Sequence, residues 1–235
     1  MKISEFWNQV DQEIASYDLL QHPFYQAWSA GELTTQDLKF YAEQYYHQVS
    51  QFPTYLTALH ARLPEGTMRR EVLANAFDEE CGGTPHSELW VRFLEGMGGA
   101  RATFDHDTPI REIDDLVKAF RFMAQQAPIA AVFGALFAYE SQVPKIASEK
   151  ARGLKQHYGA DERTCSYFTL HQKADVYHSN VWREIITELV EEDEARAGEV
   201  LKGVSNGARA LWMALDGIER ERKNISGYSC AGHVN

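Results

Sequence analysis

The chain has 235 residues, enough for one large domain or two small ones and for a sizeable core without cross-links. It is 44% apolar, 12% aromatic and 24% charged, which excludes the disordered and fibrous classes. With 23 Lys and Arg against 34 Asp and Glu the formal charge is −11, and no compact basic cluster offsets it, so no nucleic-acid partner is expected.

The opening MKISEFWNQVDQEI has no apolar run of the kind a secretory signal needs. It reads instead as a helix from an N-cap at Ser4 to Tyr17, with Phe6, Val10 and Ile14 on one stripe. A short aromatic segment, HPFYQAW, follows at 22–28. Thr34 or Thr35 opens a longer helix in which Leu38, Tyr41, Tyr45, Val49 and Phe52 recur at helical spacing, with a kink expected at Pro53. A helix near Met68 to Glu80 ends at Gly82-Gly83, and the next is capped by Thr84 with Pro85 at its first position and closed by Gly98-Gly99. After a polar connection at 100–109, helices are expected over 110–126, 128–156, 161–190 and 193–223, with 224–235 as a C-terminal tail.

No alternating strand pattern, repeat or linker interrupts this series. The fold class is all-α, a single-domain bundle of seven to nine helices over 1–223. The longest uncharged stretch, Phe122 to Tyr139, contains Gln125, Gln126 and Pro128, so no membrane span is expected. Cys81, Cys165 and Cys230 are an odd set with no CxxC pair. That usage points to a reducing cytoplasm.

Three segments carry candidate chemistry. In YFTLHQKADVYHSNVW, His171, Asp175 and His178 stand at i, i+4 and i+7, within about 60° of one another on a helix. Two imidazoles and a carboxylate on one face make a partial coordination sphere; the plain alternative is a solvated polar face. Glu140 follows PIAAVFGALFAY, apolar on every helical face, where an ionised carboxylate needs a metal or a cationic partner unless it lies beyond the core. Glu79 and His86 flank the Gly82-Gly83 turn and converge only if the chain doubles back through it; otherwise Asp78, Glu79 and Glu80 are a charged helix end. Together these offer three carboxylates and three imidazoles, the composition with which helical bundles hold two metals. Carboxylate and imidazole without thiolate favour iron or manganese.

The strings HPFYQAW, YAEQYYHQV, DEECGGTPHSELW, AYESQVPKIASEK and YFTLHQKADVYHS resemble the group named after the Chlamydia protein associating with death domains, within the haem-oxygenase-like dimetal oxidases. The resemblance spans roughly residues 15 to 220, and it implies a haem-oxygenase-like bundle. It also implies Glu79, His86, Glu140, His171, Asp175 and His178 as ligands of two metal ions, iron and/or manganese, with none of these positions substituted. The implied activity is oxygen-dependent synthesis of p-aminobenzoate for folate, in which the protein excises one of its own tyrosines. By motif position the consumed residue is Tyr25, Tyr41 assists as a redox tyrosine, and Lys150 supplies nitrogen. Tyr139 and Tyr167, beside ligand motifs, either carry oxidising equivalents or simply pack. Molecular oxygen and a reductant are implied co-substrates, the electron donor is unknown, and a homodimer is expected by analogy of fold.

Two other readings compete. One is an enzyme of the same fold acting on an external small molecule, like pyrroloquinoline quinone synthase or a thiaminase; no cysteine here matches the thiaminase nucleophile, and a metal-free oxidase needs no six ligands. The other is an interaction module binding death domains, which leaves six chelating residues without a purpose.

Overall fold

A computed structural model describes the backbone of residues 2–231 and, within that span, all side chains except those of Asp105 and 225–231. Ten α-helices and two 3-10 turns make up the described chain, and no strand occurs among the described residues. Helix α1 (Ile3–Ala15) buries Phe6, Trp7 and Val10. Its cap is Lys2 rather than Ser4, because the Glu5 carboxylate accepts the Lys2 N–H.

After a 3-10 turn at Leu19–Gln21 the aromatic segment forms a helix of its own, α2 (Pro23–Ala30). The His22 ring caps it by accepting the Phe24 N–H at 3.1 Å, and Pro23 occupies the first position, where its missing N–H goes unmissed. Gly31 ends it at φ 73°, a left-handed turn where a Cβ would also strike the His157 ring.

Thr34 and Asp37 cap α3 (Thr35–Arg62) reciprocally, each side chain accepting the other's N–H. The helix continues through Pro53. Helices α4 (Thr67–Cys81) and α5 (His86–Gly96) are joined by the diglycine turn, with Pro85 rather than Thr84 at the cap of α5. The connection to α6 (Arg111–Gln126) is tied down on α3, where Gln44 donates to Asp107 and accepts the Ile110 N–H.

The single helix expected over 128–156 is two: α7 (Ile129–Glu140) and α8 (Val143–Tyr158). In an unbroken helix Pro144 would offer no N–H to the Glu140 carbonyl and would clash with it. Restarting the helix at Gln142 puts Pro144 in the first turn, where it is tolerated. The Gln142 side chain pins this corner, accepting the Leu19 N–H and donating to the Ala138 carbonyl. Helix α9 (Ser166–Glu192) and α10 (Arg196–Ala231) complete the bundle. The segment 224–235 overlaps the end of α10 as far as Ala231, and 232–235 lie outside the described residues.

Helix α7 is buried from Ala130 to Glu140 and is central to the fold. Helix α10 lies along it, α9 packs on another side, and α3 holds α4, α5 and α6. Gly134 faces the Val200 carbonyl and Gly203 the Ala131 carbonyl, so closely that a Cβ on Gly203 would stand 1.9 Å from that oxygen.

Candidate metal centre and aromatic cage

The six expected ligands are all buried, and they gather as two triads. Glu79 from the end of α4, His86 from the start of α5 and His171 from α9 form the first; Glu140 from the end of α7 joins Asp175 and His178 of α9 in the second. Within each triad the potential ligand atoms lie within 4.8 Å of one another. The diglycine turn therefore does double the chain back, and the stripe read on α9 divides between two clusters.

The donors are aimed as ligands are aimed. His86 Nδ1 is 2.9 Å from Glu79 Oε2 yet makes no hydrogen bond. His178 Nδ1, 3.5 Å from Glu140 Oε1 and 3.6 Å from Asp175 Oδ1, makes none either. Unpaired buried ring nitrogens beside carboxylate oxygens are costly unless a cation lies between them. The His171 Nδ1 meets the Tyr167 carbonyl at 2.7 Å; a carbonyl only accepts, so the proton is on Nδ1 and Nε2 keeps its lone pair toward the Glu79 side. On the far ring nitrogen of His178, Asp78 stands at 3.3 Å, the carboxylate that often backs a ligating histidine.

Glu140 is held from two directions. Asn75 Nδ2 donates to Oε1 at 2.8 Å and Trp182 Nε1 donates to Oε2. Burial drives the His171 imidazole down to about 3 and lifts the Asp175 carboxyl above the ordinary carboxylate range. Burial alone would lower His178 too, but the Asp175 and Glu140 carboxyl groups beside it raise it above the ordinary imidazole value. So dense a cluster of carboxylates and imidazoles fits a pair of divalent cations. The cavity reaching it is lined by Val49, Phe52, Tyr139 and Tyr167 together with Glu79, His171, Glu140 and Asp175, and has a volume of about 10 Å³, room for roughly one water-sized molecule.

A second cluster lies on α2, α3 and α8. Lys150 is buried, and its Nζ donates to Tyr25 Oη at 2.8 Å and to Tyr41 Oη at 2.6 Å. The two phenols also bond each other at 3.1 Å. The amine stands 4.3 Å from the centre of the Tyr25 ring and 4.6 Å from that of Tyr41, with Trp28 and Phe168 completing an aromatic cage. Desolvation holds its pKa well below the ordinary lysine value, and it pushes both phenols well above theirs. The cage thus favours a neutral amine against two neutral phenols. Helix α7 ends at Glu140 and α8 starts at Val143, so Glu140 and Lys150 stand on separate helices.

Aromatic rings connect cage and triads. Tyr167 stacks on His171 at 4.0 Å, Trp90 contacts Tyr167 at 4.8 Å and Tyr45 at 5.6 Å, and Tyr45 stacks on Tyr41 at 5.3 Å. Tyr139 lines the cavity at the triads together with Tyr167.

Sequence reasoning missed Asn75, Asp78, Trp182, Tyr45, Trp90 and His22. Helical spacing contained a signal for two of them: Asn75 is four residues before Glu79, and Trp182 continues the α9 stripe four after His178. For His22 the signal was a cap-forming side chain directly before a proline at the first helical position.

This fold and site place the chain in a known class: it belongs to the family of iron-containing redox enzymes, whose pattern matches residues 39–212. The fold is haem-oxygenase-like. A Shewanella denitrificans domain of unknown function with a heme oxygenase-like fold superposes with a TM-score of 0.79 at 14% identity, over 96% of this chain and 95% of that one. More particularly, the chain is 40% identical to the 4-aminobenzoate synthase of Nitrosomonas europaea over 93% of its own length and 92% of the relative's. It is 37% identical to the 4-aminobenzoate synthase of Chlamydia pneumoniae, over 88% and 91% of the two chains.

Proposed function

We propose that this chain is a 4-aminobenzoate synthase that consumes its own Tyr25. Two metal ions, iron and/or manganese, would be held by Glu79, His86 and His171 and by Glu140, Asp175 and His178. The observation that carries the reading is the buried Lys150 amine lodged against the Tyr25 phenol oxygen, in a chain 40% identical to a 4-aminobenzoate synthase.

The product's outline supports it. 4-Aminobenzoate is a benzene ring with one carboxyl carbon and, para to it, one nitrogen. A tyrosine side chain already has the ring, one carbon and a para oxygen. Conversion requires cleavage of the Cα–Cβ bond with oxidation of Cβ to the carboxyl carbon, loss of the Cζ oxygen as water with nitrogen taking its place and, with Lys150 as donor, oxidative cleavage of the Lys150 Cε–Nζ bond, molecular oxygen being the oxidant. Lys150 Nζ, 2.8 Å from Oη, stands beside the carbon that must receive nitrogen. Burial in the cage disfavours its ammonium form and so favours the free lone pair. The bound metals would supply the oxidising power of molecular oxygen once reduced by an external donor. Tyr41 holds the phenol and amine together, and the Tyr167, Tyr139, Tyr45 and Trp90 contacts supply a path for oxidising equivalents between triads and cage.

An external aromatic substrate fits less well, because the cavity at the triads has room for little more than a water. A death-domain-binding module would not need six buried chelating side chains. No helix among the described residues is long and apolar enough to cross a membrane. With the cysteine usage, this supports a cytoplasmic setting; a homodimer and a separate electron donor complete the proposal.

The test is a single-turnover reaction on protein grown with ring-labelled tyrosine. Reduced, metal-loaded chain given oxygen should release labelled 4-aminobenzoate at no more than one per chain and lose mass in the peptide holding Tyr25, while Tyr25→Phe binds metal and makes nothing. Repeated turnover on an added compound with Tyr25 intact overturns the reading.

A further inference from the structure

The Tyr25 ring fills a niche with fixed walls. Phe24, Trp28 and Tyr41 surround it, with ring centres at 5.9, 6.5 and 6.3 Å, and Lys150 caps one face. Trp28 is tied by its indole N–H to the Lys150 carbonyl and packs on Phe93 and Phe168, so it is not free to swing inward. Helix α2, which presents the ring, is fastened at its start by His22, whose other ring nitrogen bonds Asp216 of α10. At its end Gly31 packs against His157.

With the ring gone, these walls enclose an apolar space, and the Lys150 amine and Tyr41 hydroxyl at its end each lose a hydrogen-bond partner. Rigid apolar cavities in protein cores stay open and accept small aromatic molecules. Two polar groups left unpaired at the end of such a cavity favour a guest that satisfies them.

We propose that loss of the Tyr25 ring turns this niche into a binding site for small neutral phenols, with the guest hydroxyl on Lys150 Nζ and Tyr41 Oη. For a variant without the ring the proposal stands independently of the proposed function; in the chain after its reaction, which by that reading has given up both the Tyr25 ring and the Lys150 nitrogen, the Tyr41 hydroxyl alone remains to meet the guest.

Calorimetric titration of full-length, metal-free Tyr25→Gly with phenol and with benzene tests it. Phenol should bind one per chain and at least tenfold more tightly than benzene, while the intact protein binds neither in the filled niche. Lys150→Met in the Tyr25→Gly background should bring phenol down toward benzene. A folded Tyr25→Gly chain that binds no phenol, or binds it no better than benzene, overturns the proposal. If Tyr25→Gly is unfolded alone, phenol but not benzene should restore its helical circular dichroism by mass action, and failure to do so at saturating phenol is equally fatal. The reacted wild-type chain, without the Lys150 nitrogen, should bind phenol as Tyr25→Gly with Lys150→Met does. Binding by that double variant with none by the reacted chain upholds the niche and overturns the consumption of Tyr25.

Discussion

Replacing Lys150 with Met should make the fold more stable at neutral pH. In the unfolded chain the ammonium group is hydrated and titrates near 10.4. In the fold it is 6% exposed, its hydrogen bonds go to two phenols rather than to a carboxylate, and desolvation lowers its pKa well below that figure. Between the folded and the unfolded pKa the unfolded chain holds one proton more. Wild-type stability therefore rises with pH through that window, by about 1.4 kcal/mol per unit, and is level below it, where both states hold the proton. The variant lacks this dependence, so from pH 7 to pH 9 the two stabilities should converge by up to about 2.8 kcal/mol. The tyrosines do not blur the window: Tyr25 and Tyr41, raised by burial, change stability only near and above pH 10, where unfolded phenols ionise and they do not. Their mutual hydrogen bond survives the substitution. Urea unfolding followed by circular dichroism, on metal-free samples of both proteins at pH 7, 8 and 9, measures the difference directly. Parallel profiles would refute a neutral, desolvated amine in the cage.

Metal analysis should find close to two ions per wild-type chain, and Glu140→Ala or His171→Ala should lose metal from its own triad and abolish product; full retention in both removes the ligand assignment. Asp78→Asn should weaken metal binding about 10-fold by withdrawing the carboxylate behind His178, seen as a shift in a chelator competition, and an unchanged midpoint denies Asp78 that part. Gly203→Ala, which drives a Cβ into the Ala131 carbonyl, should lower stability by about 1–3 kcal/mol in urea unfolding; a neutral result would mean that α7 and α10 can slide apart at no cost.

The helical class was legible because apolar stripes and caps are local signals, and Thr34 with Asp37 shows how completely a cap can be read from neighbours in sequence. The division of 128–156 was within reach too, since Pro144 stands four residues after Glu140 and forbids that backbone bond. The shared face of His171, Asp175 and His178 on α9 followed from periodicity, but its partition between two clusters did not. That depends on where α4, α5 and α7 end against α9, a tertiary fact. Likewise nothing local distinguishes Lys150 from a surface charge among Ser148, Glu149 and Arg152, and only the approach of α2 and α3 makes it a caged amine. Asp78 lay beside Glu79 in plain sight, yet nothing local says that it serves a histidine 100 positions later.

Because His171 and His178 stand on one unbroken helix yet belong to different triads, α9 acts as the ruler of the centre. Seven residues at about 1.5 Å each set the two histidine backbones about 10.5 Å apart along its axis, a spacing that side-chain substitution elsewhere does not alter. One residue inserted between His171 and Asp175 would turn everything beyond it by about 100°. Whichever end kept its partners, the other would face away from them, so the helix admits both clusters in a single register or only one of them.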